Sequence, residues 1–384
     1  MMKGKSIKWK NYINYAVIAI ATIVFGIMSV TGNLASSTQF LLEKMSISIL
    51  MAVSLSLVVG FLGELSLGHA GFMCMGAYLG GKVAAVMAQS MGNSIVTLIV
   101  SFVVGGAVAA ACGVIIGLPA LRLKGDYLAI VTLAFGEIVK SIFRNTSNDS
   151  FGGTLGLSTP RYDKKVLFII GLVLVLIALA VIQNLIRSKH GRAITAIRDN
   201  EIAAKAMGIN VTKYKLIAFI ISAFFAGIGG VMYSWSNYTI QSTSFGYNYS
   251  IEILVMVVLG GMGSINGAIM AASLITYLNT TLATVLTGDL AVLQNLVYAL
   301  ILIIIVIYNN APALKGFRER YNFKNLFDKL SRNRHDPSRV KDDEAVWNRV
   351  PTKIAMDEIL SVDVANVRSS VSEKGDPYQG EGDD

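Results

Sequence analysis

Ser188-Lys-His-Gly-Arg-Ala-Ile-Thr-Ala-Ile-Arg-Asp-Asn-Glu-Ile-Ala-Ala-Lys-Ala-Met-Gly-Ile-Asn210 lies between two hydrophobic runs long enough to cross a bilayer. It gathers Lys189, Arg192, Arg198, Asp199, Glu201 and Lys205 in a chain otherwise dominated by apolar residues. Charge at that density belongs in water, and its basic excess belongs on the cytoplasmic side of a membrane. Ile194, Ile197, Ala204 and Met207 recur at spacings of three and seven, which places them roughly on one side of a helix. Arg198, Glu201 and Lys205 take another side, with Glu201 four residues ahead of Lys205, the favoured order for a helical pair. Gly191 and Gly208 bracket the run as natural breaks. The spacing predicts a short docking helix held under the membrane; a helical connector with a solvated face fits it equally.

Composition sets the class. With 384 residues, 54% hydrophobic and 15% charged, the chain is too apolar for a soluble enzyme of this length, which makes it an integral membrane protein. The net charge of +9 clusters beside hydrophobic spans, so topology accounts for it without nucleic acid. Cys74 and Cys112 have apolar neighbours and no paired spacing, and read as small core residues. No Gly-x-x-x-x-Gly-Lys-Ser/Thr loop, metal-ligating cluster or catalytic set is recognisable, so the chain is read as a non-enzyme that holds no metal or cofactor.

Working outward, Lys3, Lys5, Lys8 and Lys10 precede an apolar run at 13–30, longer than a signal-peptide core and taken as the first span, with residues 1–12 inside. Further spans are expected at about 41–61, 72–87, 95–116, 127–143, 166–186, 214–235 and 291–308. Arg122 and Lys124 mark a cytoplasmic turn, and 145–163 reads as an external loop. The apolar run 251–278 is interrupted by Leu259-Gly-Gly-Met-Gly-Ser-Ile-Asn-Gly267. A continuous helix there would reach about 42 Å against a hydrocarbon core of about 30 Å. Two halves of about a dozen residues are each too short to cross, so a discontinuous or re-entrant element is expected, its apex near mid-membrane. The fold expected is an all-α polytopic membrane protein with about eight spans, eight to ten, plus this element. The transmembrane domain covers 13–310, with the loop 188–210 inside it. The tail 311–384 is basic at 315–341, with nine Lys or Arg against three acids, and acidic from Asp342, with eleven acids against four bases. It lacks the apolar content for a core and is read as a cytoplasmic, disordered segment.

The candidate solute path collects residues that are costly or permissive at membrane depth. Gly68 and His69 lie in the glycine-dense stretch 60–81, which suits either close helix packing or unwound backbone. His69 is a possible substrate contact or a satisfied packing residue. Glu137 either faces the interior or pairs with Lys140 or Arg144 at helical spacing. Gly260, Gly261 and Gly263 sit at the apex, where they either expose backbone to a solute or pack a seam.

The string Gly191-Arg-Ala-x-x-Ala-Ile-Arg-Asp-Asn-Glu-x-Ala-Ala-x-x-Met-Gly208 resembles the coupling loop of ABC importer permeases of the branched-chain amino acid, LivM-like type. Ala203, Ala204 and Gly208 keep the older Ala-Ala-x-x-x-Gly spacing, while Glu201 stands one residue early. Leu65-Ser-Leu-Gly-His-Ala-Gly71, Gly125 to Gly136 and Ile253 to Ser264 resemble the same family, so the likeness spans roughly 40–310. It implies that Gly191, Arg192, Ala196, Arg198, Asp199, Glu201, Ala203, Ala204 and Gly208 form an ATPase-coupling loop. It also implies two separate ATP-binding subunits carrying ATP-Mg, a second related permease and an extracytoplasmic binding protein for leucine, isoleucine or valine. The place implied is the plasma membrane, with both termini cytoplasmic. Importers of urea, short amides or nucleosides use similar permeases. An ion-coupled secondary transporter working through Glu137 or His69 is the alternative of a different class; it predicts an internal repeat and more intramembrane ionisable groups, and neither stands out.

Overall fold

The computed structural model describes residues 13–31, 35–123 and 125–285, with isolated helical positions between 297 and 303. The expected segment 1–12, the run 291–308 apart from those positions, and the tail 311–384 lie outside the described residues.

The helices are α1 (Ile13–Val30), α2 (Ser36–Leu62), α3 (His69–Met91), α4 (Ile95–Ala120), α5 (Asp126–Asn145), α6 (Asn148–Phe151) and α7 (Lys164–Arg187). Then follow α8 (Lys189–Asp199), α9 (Glu201–Ala206), α10 (Val211–Ser236), α11 (Tyr247–Gly260) and α12 (Ile265–Val285). Six of these, α2, α3, α4, α7, α10 and α12, are long and apolar enough to cross a membrane; α1 and α11 carry shorter apolar stretches. The protein is a helical, multi-pass membrane protein. The seven expected spans that fall on described residues each coincide with one of these helices. The fifth is the exception in character, because α5 carries Asp126, Glu137, Lys140 and Arg144 and is not among the six.

The long helices alternate between two ends of one bundle. At one end Gly117, near the finish of α4, packs on Leu216 near the start of α10, and the charged helices α8 and α9 join α7 to α10. At the other, β1 (Leu157–Ser158) pairs antiparallel with β2 (Thr239–Ile240), Asn93 donates to the Arg161 carbonyl at 3.1 Å, and Thr159 donates to the Ser234 carbonyl at 2.7 Å. The loop expected outside, 145–163, is thus tied to the turn after α10. Tyr15 donates to the Leu179 carbonyl at 3.1 Å, and Gly26 faces Ile169, so α1 runs antiparallel to α7.

Glycines bring the central backbones together. A Cβ on Gly76 would lie 2.1 Å from the Gly227 carbonyl oxygen, and one on Gly230 would lie 2.0 Å from that of Met73. Only a residue without a side chain permits α3 and α10 to touch in this way. Around the seam, Trp235 is fully buried and donates to Ser101 Oγ at 3.0 Å, and Tyr78 stacks on Phe143. Cys74 is buried and Cys112 half-buried, both as free thiols. The stretch 63–68 between α2 and α3 is unwound, so the glycine-dense segment serves both uses open to it, packing and broken helix.

The run 251–278 is discontinuous, as its glycines require, but its dimensions differ from expectation. The break at 261–264 separates α11, of 14 residues, from α12, of 21, because the second helix continues to Val285 and is long enough to cross. Gly261 and Gly263 turn the chain at φ +91° and +84°, values that favour glycine. The apex lies against the last turn of α2, where a Cβ on Gly60 would meet the Gly263 nitrogen at 2.6 Å. It therefore sits level with the end of α2 and not midway along it. Gly260 and Gly267 close the seam between α11 and α12.

Candidate coupling site

The charged stretch folds as two helices and not one. Ser188 Oγ accepts from the backbone N–H groups of His190 and Gly191, capping α8. Asn200, in extended conformation, ends α8, and its Oδ1 accepts from Ala203 N at 3.0 Å to start α9. Helix α9 closes on Gly208 at φ +80°, with Gly208 N bonded to the Lys205 carbonyl and Ile209 N to that of Ala204, the paired bonds of a Schellman ending. Gly208 is the expected stop. Gly191 is not a break; it lies inside α8, buried where a Cβ would strike the Ile186 carbonyl oxygen at 2.1 Å.

The two helices bury Ala193, Ile194, Ile197 and Ala204, with Ala196 half-buried. Met207 does not join them. It is 83% exposed, standing just past the end of α9 at Ala206, and Ile202 is 78% exposed on the outer side of that helix. Ala203 and Ala206 are exposed beside them, giving α9 an uncovered apolar face; Arg192, Lys205 and Asp199 are exposed as well.

Two cationic side chains fasten this pair of helices to the bundle. Arg198 donates through Nη1 to the Gly60 carbonyl at 3.0 Å, and through Nε and Nη2 to Asp199 at 3.2 and 3.0 Å. Its stem crosses Gly63, where a Cβ would lie 2.6 Å from Arg198 Cγ, and Nη1 would lie 3.4 Å from a Cβ on Gly263. Gly60, Gly63 and Gly263 thus leave the room the guanidinium occupies, joining the end of α2 and the α11–α12 turn to α8. Lys215, 2% exposed in α10, places Nζ 2.5 Å from Glu64 Oε1 and 3.1 Å from Glu201 Oε2. The ion pair seen for Glu201 is therefore with Lys215, across the bundle, in place of the helical pair expected with Lys205. A buried ammonium between two carboxylates fixes geometry, and the desolvation cost offsets much of the Coulombic gain.

The expected path residues are not gathered into one site. Gly68 ends the unwound stretch, where a Cβ would strike the Thr132 carbonyl oxygen at 2.4 Å. His69 opens α3, 2% exposed, with Nε2 2.8 Å from Ser54 Oγ. Around it, Ser222 Oγ donates to the Ser54 carbonyl at 2.7 Å and Ala70 N donates to Ser250 Oγ at 3.0 Å, so this is a satisfied packing cluster. Glu137 pairs with Lys140, and its Oε1 accepts from Tyr247 N at 3.0 Å, holding the start of α11. Gly263 belongs to the Arg198 seat, and Gly260 and Gly261 to the adjacent turn. Sequence reasoning misses Glu64 and Lys215 at the site, and Glu43, Lys44 and Glu252 at the far end of the bundle. Each is an ionisable residue within or beside an apolar run, a signal that marks function by default. Among the described residues no group of His, Cys, Asp or Glu is placed to hold a metal ion.

Residues 37–307 match the family described as "Branched-chain amino acid transport system / permease component". The chain is 33% identical over 303 residues to the high-affinity branched-chain amino acid transport system permease protein LivM of Escherichia coli strain K12, covering 71% of this chain and 68% of the relative. LivM of Salmonella typhimurium is 34% identical over the same shares. The ribose import permease protein RbsC of Escherichia coli strain K12 is 26% identical over 77% of this chain and 92% of its own. No solved structure matches the chain.

Proposed function

The chain belongs to the branched-chain amino acid transport system permease family, and from that premise we propose that it carries leucine, isoleucine or valine inward across the plasma membrane. As an ABC permease it is a transport protein and not an enzyme. ATP-Mg is then hydrolysed on two separate subunits, an extracytoplasmic protein delivers the substrate, and a second, related permease completes the pore.

The arrangement of α8 and α9 carries the reading. Their outer side is apolar and uncovered at Ile202 and Met207, as a docking surface requires, while their inner side is tied by Arg198 and by Glu201–Lys215–Glu64 to α2, α10 and the α11–α12 turn. A force applied by an ATPase at the outer side would reach all three, the mechanical link that alternate access needs. An ion-coupled carrier has no use for such a module.

The topology follows. With α8 and α9 on the cytoplasmic side, the Gly-rich element descends along α11 and returns along α12. This keeps to the eight to ten spans of the sequence reading, with both termini cytoplasmic. Residues 1–12 and 311–384 form the cytoplasmic extensions of the domain 13–310.

The test is uptake of labelled leucine by proteoliposomes holding this chain with its co-purified partners. ATP-dependent uptake that requires the binding protein supports the reading. Uptake driven by an ion gradient through this chain alone would overturn it. ATP turnover without leucine uptake would keep the architecture and move the substrate to urea, short amides, nucleosides or sugars.

A further inference from the structure

At the end of the bundle remote from Arg198 lies a cavity of about 380 Å³, within the range of roughly 300–1,000 Å³ of small-molecule sites. It is lined by the first turns of α2 and α11, the last turn of α10 and the last turns of α12. Lys44 from α2 and Glu252 from α11 both line it. A cation and a carboxylate at this depth are costly unless they face protein, water or a ligand. The Lys44 ammonium lies 4.5 Å from the centre of the Phe40 ring, and Glu252 Oε1 accepts from Asn279 Nδ2 at 3.3 Å, so both are oriented by neighbours that also line the cavity. Thr276 Oγ1, in the wall, is buried and has no hydrogen-bond partner among the described residues. A buried hydroxyl in that condition costs free energy until something supplies a partner. Ile47 and Ala283 add apolar wall between the polar groups.

We propose that this cavity is a binding site for the zwitterionic head of an α-amino acid, with the carboxylate toward Lys44, the ammonium toward Glu252 and the side chain against Phe40 and Ile47. One charge of each sign, an amide and an unspent hydroxyl match a ligand that is itself doubly charged and neutral overall. The inference rests on the transport function proposed above and places its substrate at the end where an importer receives it.

The complex is reconstituted in nanodiscs without ATP, with Thr280→Cys introduced at the cavity wall. Labelling by a small methanethiosulfonate reagent is followed, with the labelling of the unsubstituted complex subtracted. Leucine is expected to slow labelling. Isocaproate, which lacks the ammonium, and isoamylamine, which lacks the carboxylate, are expected not to. Adding Lys44→Gln or Glu252→Gln should raise the leucine concentration for half-protection about ten-fold, the scale of one lost charge-assisted contact. Should a charge variant fail to assemble, the selectivity among the three probes still decides. Equal protection by all three would overturn the site, as would no protection by leucine when the unsubstituted complex still takes up leucine with ATP. Failure of that uptake strikes the proposed function instead, so the two are distinguishable.

Discussion

Lys215 Nζ stands 3.1 Å from Glu201 Oε2, joining the first residue of α9 to the first turns of α10 through a cation that is almost wholly buried. Its second partner, Glu64 at 2.5 Å, lies in the unwound stretch that leads into α3. The ammonium therefore holds three chain segments at one point.

Replacing Lys215 by Met should destabilise the chain by about 3–5 kcal/mol, the usual loss when one member of a buried ion pair is removed and the other is left behind. Glu201→Gln should cost less, because Lys215 keeps Glu64, yet should lower the stimulation of ATPase activity by loaded binding protein. Thermal unfolding and ATPase assays on the purified complex check the order; equal stability of the two variants would count against the three-way link.

Arg198→Lys keeps the charge but loses the planar fork that reaches both Gly60 and Asp199. It should weaken coupling by about 1.5–3 kcal/mol, the worth of a charged hydrogen bond. Gly263→Ala should act at the same place from the opposite side, since φ +84° costs an L-residue about 1–2 kcal/mol. ATP consumed per leucine imported is the measurement, and an unchanged ratio in both would remove Arg198 from the coupling path.

Ile202→Asp and Met207→Asp alter only exposed atoms, so permease stability should stay within about 0.5 kcal/mol. Co-purification of the ATP-binding subunits should fall sharply. Full retention of those subunits in both variants would mean that the apolar face of α9 is not where they dock.

His69→Asn and Glu137→Gln should separate structure from transport. The first disturbs the buried contact with Ser54 and should cost about 1–3 kcal/mol of stability, the price of an unsatisfied buried group. The second keeps an acceptor for Tyr247 N and loses only the pair with Lys140, worth about 0–1 kcal/mol where it is partly exposed. Leucine KM should be unchanged in both; a several-fold rise in either would return that residue to the solute path.

The spans were legible because bilayer thickness fixes the length of apolar run a chain must supply, and the charged interruption at 188–210 was legible because water alone tolerates it. The interior of that interruption was not. Met207 lies three residues after Ala204, yet α9 ends at Ala206 and leaves Met207 as its cap, and so short a helix leaves little periodic trace. Lys215 reads as an interfacial residue at the start of a span, and only the fold brings Glu64 to it from 151 positions away. The break at 261–264 was legible from glycine and length together, but its depth depends on Gly60 and Arg198, which no local pattern connects to it. Of the candidate path, sequence left His69 open between substrate contact and packing, and Glu137 open between the interior and a helical pair, because neither spacing nor composition says what a side chain meets across the bundle.

Helix α2 runs from Lys44 at the cavity to Gly60 beneath the Arg198 guanidinium, sixteen residues or about 24 Å of helix at 1.5 Å per residue. That makes it a lever with its handle at the charged end. A tilt of about 5° at Gly60 swings Lys44 by about 2 Å over this length, as much as separates a hydrogen bond from none. Leverage of this kind lets a modest movement at one face open or close an ionic grip at the other, with the helix in between staying intact.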